Sequence, residues 1–141
     1  MTEVSILAID LAKHNFQVCA TTSDGEVIYN RKYSRARLAK LLAAQGPCIV
    51  AMEACGTSNY WGRLANSHGH DVKIIPPIYV KPFVRRGAKN DANDAFAIAT
   101  AVRQPGMRFV PVKTVEKQSY AMLFRTHQTL MRQRAQLICS L

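Results

Sequence analysis

Apolar positions recur along this chain in two rhythms, one of strands and one of helices. Residues 4–11 form a short, mostly apolar run rich in β-branched and aliphatic side chains, which reads as a buried strand. Asp10 interrupts it and demands a reason, because an ionised carboxylate is rarely buried without a partner. Residues 16–21 alternate like a second strand, Asp24-Gly25 is a hairpin signal, and residues 27–33 read as a third strand. Three strands joined by tight turns predict an antiparallel meander. Ser34 suits the cap of a helix over 35–44, with Leu38, Leu41 and Leu42 inward, ended by Gln45-Gly46-Pro47. Residues 48–53 are a fourth strand, again finishing on a carboxylate, Glu53. Gly56-Thr57-Ser58 opens a helix over 59–66 that carries Tyr60, Trp61 and Leu64. His68-Gly69-His70-Asp71 reads as a solvated loop, and residues 72–75 as a fifth strand stopped by Pro76-Pro77.

Beyond the fifth strand the pattern turns helical. Residues 81–89 are basic and hold Pro82 and Gly87, so they read as a loop or broken helix. A helix starts at Asp91, turns apolar at once, and runs to about Arg103, where Gln104-Pro105-Gly106 ends it. Residues 108–112 form a short extended link. Residues 114–141 are a long helix pattern without Gly or Pro. Leu123, Leu130 and Leu137 recur every seventh residue, as do Phe124, Met131 and Ile138, with Arg125, Arg132 and Arg134 off the stripe. About three heptads is near the lower limit for a coiled coil, so the stripe predicts either a seam between two copies or a helix packed on its own domain. The pattern is still running at Ser140-Leu141, and the reading expects an N-terminal piece of a longer protein. The expected division is a catalytic domain over 1–112 and the start of a helical segment over 113–141.

Charge changes the picture. The chain has 141 residues, enough for one domain with a real core, with 19 Lys and Arg against 9 Asp and Glu, a formal charge of +10. From Lys73 onward twelve residues are basic and three acidic, against seven and six before it. Such a basic half points to a polyanion, nucleic acid ahead of a membrane surface. Cys19, Cys48, Cys55 and Cys139 show no metal-ligand spacing, which predicts a reducing, cytoplasmic setting without disulfides. No apolar run reaches the length of a membrane span, and the N-terminus lacks the pattern of a signal peptide.

The candidate chemistry lies in the acids. Asp91 and Asp94 are three residues apart on a predicted helix and so share a face. Read alone, they are ordinary capping residues that suit the helix dipole. The element order, however, is that of a ribonuclease H-like domain: a mixed α/β sheet with flanking helices, here followed by a long C-terminal helix. In that topology the first and fourth strands are neighbours, so Asp10 and Glu53 could meet, and a late helix would bring Asp91 and Asp94 to the same spot. Four converging carboxylates repel one another unless cations sit between them. Two Mg²⁺ or Mn²⁺ ions would clamp the attacking and leaving oxygens of a phosphodiester displacement.

Residues 8–13 (Ala-Ile-Asp-Leu-Ala-Lys), 52–61 (Met-Glu-Ala-Cys-Gly-Thr-Ser-Asn-Tyr-Trp) and 89–95 (Lys-Asn-Asp-Ala-Asn-Asp-Ala) resemble the three blocks of the DEDD transposases of bacterial insertion sequences. These are the IS-one-ten and related groups, akin to the Piv invertases, with a RuvC-like N-terminal domain. The resemblance covers nearly the whole chain. It implies metal-binding catalytic acids at Asp10, Glu53, Asp91 and Asp94, and a basic approach to the third block over residues 85–90. It further implies cutting and rejoining of DNA, in some members under a structured guide (bridge) RNA, and a second domain supplying a nucleophilic serine. An isolated piece would then bind metal and nucleic acid without recombining DNA.

Lys81, Arg85, Arg86 and Lys89 are the expected phosphate contacts, against the plainer reading of a solvated basic loop. Ser58 and Asn59 are read as helix-opening residues rather than phosphate contacts, His14 and His68 as surface residues, and Tyr60 and Trp61 as core rather than base-stacking groups. Two other functions fit the same residues. One is a stand-alone Holliday-junction resolvase, which should not stop in mid-helix. The other is a nucleic-acid-binding module that does not cleave, whose acids would be dispensable. A homo-oligomer through the C-terminal helix completes the expectation.

Overall fold

A computed structural model describes residues 3–85, 87 and 90–141. Five strands form one mixed sheet: β1 (Ile6–Asp10), β2 (Asn15–Thr21), β3 (Val27–Ser34), β4 (Ile49–Glu53) and β5 (Asp71–Ile75), in the order β3-β2-β1-β4-β5. The first three pair antiparallel through hairpins, and β1–β4 and β4–β5 pair parallel. The turn between β2 and β3 needs Gly25, whose φ of +90° few other residues adopt. Strand β1 lies at the centre and is buried on both faces, which is why its apolar run is nearly unbroken.

The two faces carry separate cores. Leu7, Ile9, Phe16, Val18, Val50 and Met52 pack against α1 (Arg35–Ala44) and α2 (Ser58–Ser67), chiefly on Leu38, Leu42, Trp61 and Ala65. Ile6, Ala8, Cys19 and Ala51 pack on the other face against α4 (Asp91–Ala101), which presents Ala95, Ala97, Ile98, Ala99 and Ala101. Those small side chains let α4 lie close to the sheet. The result is a three-layer α/β domain of ribonuclease H-like architecture.

Pro76-Pro77 ends β5 at Ile75 as expected, and Pro77 also opens a short helix α3 (Pro77–Val80), since proline at the first helical position loses no hydrogen bond that the helix would make. A 3₁₀ turn over Lys81–Phe83 follows it. His70, read as part of a solvated turn, is 4% exposed. The Cys48 backbone N–H donates to its Nδ1 at 3.3 Å, and its Nε2 lies 2.8 Å from the Leu42 carbonyl, so one imidazole ties the ends of α1, β4 and β5. The last helix, α5 (Val115–Cys139), has no buried residue, and Leu123, Leu130 and Leu137 are 59–68% exposed. Its stripe therefore does not pack on its own domain. Only its approach is tied down: Arg63 Nη1 donates to the Lys113 carbonyl at 2.7 Å and to Gln118 Oε1 at 2.9 Å. The four cysteines are free thiols.

Candidate functional site

Strand parity sets the site. Ile6 and Ala8 face α4, so Asp10, the next residue of that face, points the same way. Ile49 and Ala51 face α4 as well, and Glu53 follows them in β4. The parallel register runs Ile6 with Ile49 through Ile9 with Met52, and one further step sets Asp10 beside Glu53. Both acids end their strands at the same edge of the sheet.

Helix α4 brings the other two. Its N-cap is Asn90, whose side chain accepts from the Asn93 N–H at 2.8 Å. The N-cap is thus Asn90, so the rival reading of Asp91 and Asp94 as capping residues does not account for them, and both carboxylates stand in the first turn. Asp91 pairs with Lys32 of β3 at 2.9 Å, at the exposed rim. A relay of amides holds this turn to the sheet. Gln17, the cross-strand neighbour of Asp10, donates from Nε2 to Asn30 Oδ1 at 2.6 Å, and Asn30 donates from Nδ2 to the Ala92 carbonyl at 2.8 Å. Gln17 is 5% exposed, and its Oε1 has no partner.

The electrostatics register the convergence. Asp10 is pushed up to about 6, first by burial and then by the charges of Asp94, Asp91 and Glu53. Glu53 is raised by burial and by Asp94, while Lys81 opposes the shift. Three acids thus act on Asp10. Among the described residues no three His, Cys, Asp or Glu side chains form a ready-made ion cage.

The rim is basic. Lys81 is exposed and close enough to act on Glu53, and the exposed Arg85 stacks 5.4 Å over Phe96 of α4. Arg86 and Lys89 lie outside the described residues. Other candidates have structural roles. Ser58 is buried and its hydroxyl donates to the Cys55 carbonyl at 2.9 Å, and Asn59 accepts from the Lys113 N–H at 2.8 Å. Trp61 is core, Tyr60 is 46% exposed, and His14 and His68 are exposed. Sequence reading passed over Gln17, Asn30 and Lys32. Gln17 alone gave a signal: a polar side chain inside an otherwise apolar strand, like Asp10 beside it.

A ribonuclease H-like sheet whose central strands end on carboxylates, with an acid-bearing helix laid across them, is the framework of a class of nucleic-acid-processing domains. A family model described as a transposase, of the DEDD type of the IS110 group, matches residues 7–141. The chain belongs to this DEDD transposase family. It is 43% identical over 131 residues to a transposase-like protein of Sinorhizobium fredii, covering 93% of this chain and 34% of that one. It is 41% identical over 138 residues to the transposase for insertion sequence element IS1111A of Coxiella burnetii, covering 98% and 38%. To the transposase for insertion sequence element IS1328 of Yersinia enterocolitica it is 38% identical over 134 residues, covering 95% and 40%. The chain thus spans between a third and two-fifths of the length of these relatives. No helix among the described residues is long and apolar enough to cross a membrane.

Proposed function

We propose that this chain carries the catalytic carboxylates of a DNA transposase, with Asp10, Glu53, Asp91 and Asp94 holding Mg²⁺ or Mn²⁺. One observation carries the reading: Asp10 feels the charges of three acids that come from two other elements, β4 and α4. A purely structural domain gains nothing from gathering like charges at a half-buried point. The donor set fits the group, since carboxylate oxygens alone suit hard divalent cations. When bound, a pair of such ions would supply an activated nucleophile and stabilise the charge that develops on the phosphodiester oxygens.

The chain's own residues have distinct tasks in this reading. Asp10 and Glu53, fixed on adjacent parallel strands, form the rigid side of the site. Asp91 and Asp94 form the other side, on a helix turn held to the sheet through Asn30 and Gln17. Lys32 neutralises Asp91 while no cation does. Lys81 and Arg85 offer positive charge at the rim, where a DNA backbone would lie. Two copies joined along the Leu123, Leu130 and Leu137 stripe of α5 would place two such sites in one particle, as exchange between two DNA strands requires. A structured guide RNA is a further partner that the +10 charge supports.

Isothermal titration of Mg²⁺ and Mn²⁺ tests the reading. The wild-type chain binds, and the variant with Asp10→Asn and Asp91→Asn binds at least tenfold more weakly. The same affinity in both proteins would overturn it.

A further inference from the structure

The face of the sheet turned away from the carboxylates carries a second cationic surface of different construction. Directly paired residues on neighbouring strands share a face. Tyr33 pairs with Phe16, Arg31 with Val18 and Tyr29 with Ala20, and those three partners belong to the core under α1 and α2. Arg31, Tyr29 and Tyr33 therefore lie on the side opposite Asp10. There the arginines alternate with aromatic rings. The guanidinium carbon of Arg31 sits 5.4 Å over Tyr29, and that of Arg37 5.6 Å over Tyr33. Arg35 sits 5.1 Å from the ring of Tyr60 and 5.3 Å from that of Trp61. Tyr29 and Tyr33 are 6.5 Å apart on β3, and Arg35, the first residue of α1, reaches the exposed Tyr60 of α2.

All three arginines are exposed. No ion pair or side-chain hydrogen bond engages them among the described residues, and the sequence holds no acid between Glu26 and Glu53. Each guanidinium lies within 6 Å of a ring centre, and its N–H groups remain available to a ligand. Charge on an exposed edge strand has a simpler use, since it discourages pairing with another sheet. That use would account for Arg31 and for Lys32 beside it. It does not account for Arg35 and Arg37, which belong to α1 and not to the edge strand.

Exposed guanidinium groups held near aromatic rings, with part-exposed tyrosines among them, offer both phosphate contacts and base-stacking faces to an unpaired polynucleotide strand. A duplex presents its phosphates but hides its base faces, so it could use only half of this surface. We propose that the Arg31, Arg35, Arg37, Tyr29, Tyr33 and Tyr60 surface binds single-stranded nucleic acid, on the opposite side of the sheet from the carboxylates. This surface is independent of the metal reading, and its test is run in EDTA so that failure of either leaves the other standing.

The experiment is fluorescence anisotropy of the full 141-residue chain with labelled twelve-nucleotide RNA and DNA oligomers and a DNA duplex, across a salt series. Replacing Arg31, Arg35 and Arg37 with Gln lowers the slope of log affinity against log salt by about 2, at roughly 0.7 per single-strand phosphate contact. Tyr60→Leu weakens binding by about 5- to 150-fold without changing the slope, as loss of one base stack does. Replacing the three arginines with Lys keeps charge and solubility but loses the planar stack, and gives weaker binding at an unchanged slope. This second triple variant decides the matter if the Gln variant misfolds. The RNA and DNA arms identify which strand the surface prefers, and tighter binding of either over duplex supports it. Wild-type affinity for single strands in both triple variants, a loss of duplex binding in them as large as that of single strands, or competition by inorganic polyphosphate as effective as by the oligomers would overturn it.

Discussion

Asp10 works against the fold that holds it. It ends the central strand, and burial with three acidic neighbours raises it from 3.8 to about 6. Between those values the folded chain binds more protons than the unfolded chain. Stability of the metal-free protein therefore falls as pH rises from about 4 to about 6, then levels off, and Glu53 contributes in the same direction. Asp10→Asn removes the charge and keeps the shape. In EDTA at pH 7 this variant should melt several degrees above wild type, since about 1 kcal/mol corresponds to roughly 4 °C in a domain of this size. It should also lose part of the pH slope. An unchanged or lower melting temperature would show that Asp10 is not strained by its neighbours. A residue that destabilises the resting fold is expected where function, not folding, selects the side chain.

Helix α4 is the element on which the site turns. Its apolar face is mostly alanine, so the helix is placed by close approach to the sheet rather than by interlocking bulk. The Gln17–Asn30–Ala92 relay then sets how its first turn meets β1 and β2. Asn30→Ala would strip the Gln17 amide of its remaining partner and free the Ala92 carbonyl. We expect a loss of about 1–3 kcal/mol, measured by the denaturant midpoint, because a part-buried polar pair is left unsatisfied. A loss below that range would mean that packing alone positions the turn. Helix α5 poses the opposite case, a 25-residue helix without a buried residue. Light scattering of the full chain should give a dimer and of a chain ending at Val112 a monomer. Equal masses per chain would show that the leucine stripe joins no second copy.

Across the whole molecule the charge is divided between the two faces of the sheet. Acids meet at the ends of β1 and β4 with Lys81 and Arg85 at their rim, while the stacked arginines lie behind. Two separate cationic surfaces predict that no single set of substitutions removes nucleic-acid binding. Lys81→Gln with Arg85→Gln should lower the salt slope for duplex DNA by about 2, at roughly 0.9 per phosphate, and leave binding of single strands largely intact. An unchanged duplex slope would take these two residues out of the interface.

Much of the fold was legible along the chain because period and punctuation are local. Runs over 4–11 and 48–53, the Asp24-Gly25 turn and the Gly- and Pro-marked helix ends place every strand to within one or two residues at each end. The family was legible as well, because its three blocks survive as short strings of residues. What local pattern misjudged were groups whose surroundings come from far away. His70 looks solvated between Gly69 and Asp71, yet it is buried where α1 and β4 meet it. Taken alone, Asp91 could also be a cap, and only the structure gives that role to Asn90 one residue earlier. By itself, the sequence determined which elements form and which residues are chemically able to act. Only the tertiary structure decided that Asp10 and Glu53 share a face and that Asn30 fastens the helix bearing Asp91 and Asp94. It alone also set three arginines over aromatic rings on the far side. Register, crossover and sheet order join distant residues such as Asn30 and Ala92, 62 positions apart, and no periodicity within a single element encodes them.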